Sequence, residues 1–231
     1  MNAWEPAAAA RQEIAPAGGS WKRALDVALA APAVLVLSPL LAAIAIAVKL
    51  ESRGPALFRQ QRVGYGGTRF EVLKFRSMRV DASEQAHAAD AAAWFAGRPS
   101  GQGYKSIRDP RITRVGRFLR RTSADELPQL FNVLRGEMSL VGPRPGIPYE
   151  LAHYKSWYFQ RLATRPGMTG LWQISGRELR SAAEMMELDV RYVRTRSLKL
   201  DLLILLLTVP ALLGFAPGNR LLQRDRSDAR H

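Results

Sequence analysis

The chain has no cysteine in its 231 residues. That excludes a disulfide scaffold, a thiol nucleophile and any zinc or iron–sulfur site built on thiolates. It accords with a reducing compartment. Histidine is almost as scarce. The three present, His87, His153 and His231, are not spaced as a metal pair. Acidic residues are also few: 20 Asp and Glu against 34 Lys and Arg leave a formal charge of +14. Such a balance favours anionic partners: nucleic acid, anionic lipid headgroups or phosphorylated substrates. Aromatic residues make up 8% of the chain although hydrophobic residues make up 47%. The apolar excess is Ala, Leu and Val, gathered in a few stretches. There are no internal repeats, no dinucleotide glycine fingerprint and no phosphate-binding loop ending in Gly-Lys-Ser/Thr. The length suits one domain with attachments, large enough to bury a core without staples.

Residues 1–20 are rich in Ala, Pro and Gly without a period, and read as a disordered tail. The run does not fit a signal peptide. The stretch that follows, 21–50, contains 22 consecutive uncharged residues from Val27 to Val48. At ~1.5 Å per residue that is enough to cross a hydrocarbon layer of ~30 Å. Ser38-Pro39 sits near its centre, where proline removes a backbone donor and predicts a kink. Lys22 and Arg23 flank one end, and Lys49 and Arg53 the other, so the charge rule gives no orientation. A kinked spanning helix and a re-entrant helix returning to the same side both fit. In the second, the Ser38 hydroxyl could satisfy the backbone group freed at the bend.

Residues 54–80 predict strands around a Gly64-Tyr65-Gly66-Gly67 turn. Residues 81–104 predict a helix and then a mobile loop. From 105 to 121, Lys105, Arg108, Arg111, Arg114, Arg117, Arg120 and Arg121 supply seven cations in 17 residues, opposed only by Asp109. A helix opened by Pro110 would set this basic flank beside Ile112, Val115, Phe118 and Leu119, suited to headgroups or phosphates. Leu198–Phe215 is apolar but broken by Lys199, Asp201 and Pro210. It reads as an interfacial or core helix ending near Pro210 and Gly214, with a polar disordered tail over 216–231.

Asp125-Glu126 is the most suggestive acidic pair. Ser123 with Glu126 fits a capping box, or Asp125 is itself the cap. Either way both carboxylates fall at a helix start, where the positive end and Arg120 and Arg121 favour ionisation. An ionised Asp can attack phosphorus, and an adjacent Glu can hold Mg²⁺ when a diphosphate supplies the other ligands. Acidic residues are also common in any first helical turn, so these residues alone favour a structural role. Gly142-Pro143-Arg144-Pro145-Gly146 is a rigid turn carrying an arginine that is either a phosphate contact or solvated. The element from Arg165 to Arg177 is glycine-rich, and its backbone amides could cradle an anion. Within it, Trp172 reads as core or interface. Farther on, Asp189 could reach a ligand but reads better as a surface residue.

The run SADELPQLFNVLRGEMSLVGPRP (123–145), with KFRSM (74–78), RPGMTGLWQISGR (165–177) and LDVRYVRTRSLKLDLLILLLT (188–208), resembles the bacterial sugar transferases, the monotopic polyprenyl-phosphate phosphoglycosyl transferases. The similarity extends over residues 21–212. It implies transfer of a hexose 1-phosphate from a UDP-sugar to undecaprenyl phosphate with release of UMP, the first membrane step of exopolysaccharide or glycoconjugate synthesis. It implies Asp125 as the nucleophile that forms an aspartyl-phosphosugar intermediate, Glu126 as the Mg²⁺ ligand, and Lys74, Arg120, Arg144 and Arg177 as phosphate contacts. Ser38 and Pro39 match the bend of the family's re-entrant helix. The implied fold is α/β and mostly helical: a re-entrant helix over 21–50, a small sheet region, and interfacial amphipathic helices in a cytosol-facing catalytic domain over 51–215. The implied location is the inner membrane. The expected partners are a UDP-sugar, undecaprenyl phosphate and membrane lipids, with a homodimer possible and nucleic acid not expected. A non-catalytic basic scaffold or anion-binding protein would explain the charge, but not the acidic pair set between proline turns.

Overall fold

A computed structural model describes residues 19–79, 84–97, 111–176, 181–213, 215, 217 and 218. The tail over 1–18, the loop after 97, Pro110 and Arg177 lie outside the described residues. The first element is a single 32-residue helix, α1 (Ser20–Glu51), about 48 Å long at ~1.5 Å per residue. It is long and apolar enough to cross a membrane. Helical assignment continues through Pro32 and Pro39, so the expected kink does not divide it into two elements. Pro39 cannot donate to the Leu35 carbonyl four residues back. The Ser38 hydroxyl donates to that carbonyl instead, at 2.8 Å.

Both ends of α1 are tied to the same body. Near the start, Lys22 pairs with Asp201 and also reaches the Tyr192 hydroxyl, all three buried. Asp26 accepts from the Ser139 hydroxyl and the Leu140 amide. Arg23 donates to the carbonyls of Val133 and Leu134. At the far end, Arg76 donates to the carbonyls of Ser52 and Arg53. Ala30 packs with Phe70, Val72, Leu130, Val133 and Met138, while Leu41, Ile44 and Val48 pack with Phe75 and Leu119. Between these contacts, Leu35 and Val36 stay exposed.

The expected sheet near 56–76 is an antiparallel pair, β1 (Leu57–Val63) and β2 (Arg69–Phe75), joined through a 3₁₀ turn at Tyr65–Gly67. The Ala-rich helix is α2 (Glu84–Phe95). The basic helix is α3 (Arg114–Thr122), which starts four residues after Pro110. The Thr113 side chain caps it, and the Glu51 carboxylate, at the end of α1, receives the amides of Arg114 and Val115. Arg114, Arg117, Phe118 and Arg121 are exposed along it, and Gly116 and Leu119 are buried. This is the basic-plus-apolar face anticipated from the spacing.

After a 3₁₀ turn (Ala124–Glu126) come α4 (Gln129–Arg135), β3 (Ser139–Val141), β4 (Gly167–Thr169), α5 (Leu171–Ile174), α6 (Ala182–Thr195) and α7 (Leu198–Leu212). The parallel β3–β4 pair was not anticipated. Its glycines are there for close approach: a Cβ on Gly167 would lie 2.0 Å from the Gly142 nitrogen. The Gly142 amide goes to Thr169 and the Gly167 amide to Pro143, so these two serve strand pairing rather than an anion cradle. Trp172 is in the main core with Met185, Met186, Tyr192 and Ile204, as expected. The C-terminal helix stops at Leu212, with Pro210 in its last turn.

Candidate active site

The acidic pair lies in a 3₁₀ turn rather than in the first turn of a helix. Ser123, at φ 56°, is the one non-glycine residue with positive φ among the described residues. Its left-handed backbone ends α3 and turns the chain at once into Ala124–Glu126. In that conformation its side chain makes no cap hydrogen bond, so the expected capping box is absent. The Asp125 cap is absent too: α4 begins four residues later, with Pro128 at its N-cap. Strain of this kind costs of order 1–3 kcal/mol and gathers where function over-determines the backbone.

The two carboxylates have different surroundings. Asp125 is buried, 3% exposed. The Glu126 side chain is 25% exposed and receives the Lys74 ammonium at 3.1 Å. Lys74 is the penultimate residue of β2, so the sheet brings it to the turn. Asn132 holds that arrangement. Its Oδ1 accepts the Leu73 amide at 3.0 Å, and its Nδ2 donates to the Glu71 carbonyl at 2.7 Å. One side chain thus bridges the edge of β2 to α4. The sequence reading did not single out Asn132; a buried-type amide amid QLFNVLR was the available signal. Arg120, half-buried, is in the last turn of α3 just before the acidic turn.

Glu126 opens onto a cleft of about 320 Å³ whose accessible walls are almost wholly apolar. The turn forms one wall, Leu140, Met168 and Thr169 line the floor, and Leu205, Thr208, Ala211 and Leu212 of α7 form the wall opposite.

Arg144 does not line this cleft. Its turn is buried, and its guanidinium faces Glu150 at 3.3 Å. Arg161 donates to the Arg144 carbonyl and to Asp189, while Arg62 donates to the Pro145 carbonyl at 2.9 Å. Burial raises the Glu150 carboxyl, but Arg144 and Arg62 together outweigh it and hold it below the usual carboxylate range. Asp189 is 1% exposed, which corrects its expected surface role. Its position on the inner face of α6 points it at Arg161, and burial pushes its carboxyl up to about 6 against the pull of that arginine. These groups form a structural node behind the Pro143–Pro145 turn.

The structure therefore joins Asp125, Glu126, Lys74 and the end of the Arg120 helix, and turns Arg144 into the core. A sequence profile of the family described as bacterial sugar transferase matches residues 18–214. The chain is 44% identical over 204 residues to the exopolysaccharide production protein ExoY of Rhizobium meliloti (strain 1021), covering 86% of this chain and 88% of that protein. It is 47% identical over 204 residues to the UDP-glucose:undecaprenyl-phosphate glucose-1-phosphate transferase of Caulobacter vibrioides, covering 83% and 69%. It is 42% identical over 192 residues to the UDP-galactose-lipid carrier transferase of Erwinia amylovora, covering 83% and 40%. With the family's profile matched from the first turn of α1 to just beyond the end of α7, the chain belongs to the bacterial sugar transferases.

Proposed function

We propose that the protein transfers a hexose 1-phosphate, from UDP-glucose or UDP-galactose, to undecaprenyl phosphate. The observation that carries this reading is the strained Ser123–Glu126 turn, with Lys74 paired to Glu126 at the mouth of an apolar cleft. The relatives' names supply the donor and acceptor classes. In the first step an Asp125 carboxylate oxygen bonds to the sugar-linked phosphorus. The bond from that phosphorus to the bridging oxygen breaks, and UMP leaves with that oxygen. In the second step a phosphate oxygen of undecaprenyl phosphate attacks the same phosphorus and the Asp125 carboxylate is released. A carboxylate approaching a diphosphate meets like-charge repulsion, which fixed cations offset. Lys74 and Arg120 are the candidates for that contact, and Arg144 holds the turn behind them.

The hard oxygens of Glu126 and Asp125 suit Mg²⁺, which takes one or two carboxylates when substrate phosphates complete its shell. Among the described residues no cluster of three or more His, Asp or Glu could hold a metal ion by itself. Glu126 would hold it, and when bound it supplies charge neutralisation at the diphosphate.

Both ends of α1 belong to one body while its middle, Leu35 and Val36, is bare. That supports a re-entrant helix dipping into one leaflet of the inner membrane, with the site facing the cytosol. Purified protein in nanodiscs with undecaprenyl phosphate and Mg²⁺ should release UMP from one UDP-hexose, and Asp125→Asn should abolish release. Turnover that survives Asp125→Asn would remove the covalent route. A folded preparation inert toward every UDP-sugar would favour a non-catalytic scaffold.

A further inference from the structure

The cleft beside Glu126 has a chemistry that the sugar nucleotide does not explain. A uridine diphosphate sugar carries polar groups around its whole surface and needs matching partners, whereas the accessible surface of this cleft is almost wholly apolar, with Gln173 the one amide side chain on its lining. Two of the hydroxyls on its lining are already committed. Thr208 donates to the Ile204 carbonyl at 2.7 Å, so Thr169 must be the donor in the 2.8 Å contact between Thr169 and Thr208. The cleft lies between the acidic turn and α7, where Ala211 and Leu212 belong to the last turn and the next flank carries the exposed Leu202, Leu206 and Val209. On a helix of ~3.6 residues per turn, the cleft-facing set 205, 208 and 212 and the exposed set 202, 206 and 209 are adjacent stripes. The cleft therefore has Glu126, the neighbour of Asp125, on its lining and borders an exposed apolar stripe of α7.

We infer that this cleft seats the first isoprene units of the polyprenyl phosphate acceptor, with α7 as its wall. The inference rests on the transferase reading above. The second step needs an anionic phosphate at Asp125 and a long hydrocarbon tail in the bilayer at the same time, and a continuous apolar path is the way to hold both. At about 320 Å³ the cleft is at the small end of ligand pockets, which run ~300–1,000 Å³, so it takes the proximal units and leaves the rest of the chain to the membrane. α7 then selects the acceptor by the shape of its hydrocarbon, separately from the donor site.

The test compares Ala211→Trp and Leu212→Trp, which fill the cleft, with Leu213→Trp, which adds the same bulk at an exposed position. Two readouts are taken in nanodiscs: exchange of labelled UMP into UDP-glucose or UDP-galactose, which involves only the donor, and full transfer to undecaprenyl phosphate. The two cleft variants should raise the acceptor KM by about tenfold or more and keep the exchange rate within about twofold, because uniform acceptor binding is what they remove. Leu213→Trp should leave both readouts as they were. An unchanged acceptor KM in both cleft variants overturns the inference and leaves the transferase reading standing. So does an equal rise with Leu213→Trp, or a parallel loss of exchange in variants that keep their melting temperature; an acyl chain of a bilayer phospholipid would then be the better occupant. Absence of exchange in the unmodified protein would sink the transferase reading itself.

Discussion

The Lys74–Glu126 and Arg161–Asp189 pairs are chemically alike, but their side chains are 24% and 25% exposed in the first and 1% and 1% in the second. The first is at the end of a strand beside a strained turn, within reach of a ligand. The second is sealed behind the Pro143–Pro145 turn, together with Arg144 and Glu150. Water decides what each pair can do. A partly solvated pair contributes little to stability and can exchange partners with an arriving phosphate. A dry pair is strongly held, and removing either member leaves a buried charge.

The sharpest way to break this contrast is Asp125→Asn. It should cut UMP release by about three orders of magnitude or more, with a near-isosteric side chain and little change in melting temperature. A stable protein with intact turnover would put the acidic turn on the structural side of the comparison. Next comes Arg161→Met, which strands Asp189 and should cost about 3–5 kcal/mol in a urea titration. Adding Asp189→Leu should restore part of that loss. Lys74→Gln should do the opposite of Arg161→Met: stability within about 1 kcal/mol of the parent, but turnover lower by about two orders of magnitude. A large drop in stability with normal turnover would place Lys74 with the buried node.

The smallest expected effect is pH-dependent. Glu150 has a folded-state pKa below its unfolded one, so its contribution to stability is complete above the ordinary glutamate range near ~4.3 and is lost as pH falls through the lower folded value. Glu150→Gln should flatten that acid limb in urea titrations below about pH 5. Retention of the full slope would assign it to other carboxylates.

Periodicity and motif order made much of this molecule legible. The 21–50 stretch matches α1 to within a residue at each end, β1 and β2 followed from the turn between two short runs and the alternation of the second, and α7 from its proline placement. The acidic turn stood out in the motif as the candidate site, but its backbone was not legible. Ser123 looks like a cap in sequence, and only the tertiary frame around it selects the left-handed conformation. The burial of Arg144 and Asp189 was hidden for a common reason. Charged residues are mostly solvated, and the partners that bury these two, Glu150 and Arg161, are recognisable only once the turn folds over them. The three-residue strands β3 and β4 are too short to carry a period.

The bond between Lys22 and Asp201 joins residues 179 positions apart. During synthesis the apolar helix leaves the ribosome first, yet its buried ammonium has no carboxylate until α7 is made. At about 5–20 residues per second the wait is on the order of ten seconds or more. Through that interval the helix is without the body that later clasps it. A chain cut short before Asp201 keeps the helix but never closes the clasp, so the same ion pair that fixes the helix also reports that synthesis has reached the first turn of α7.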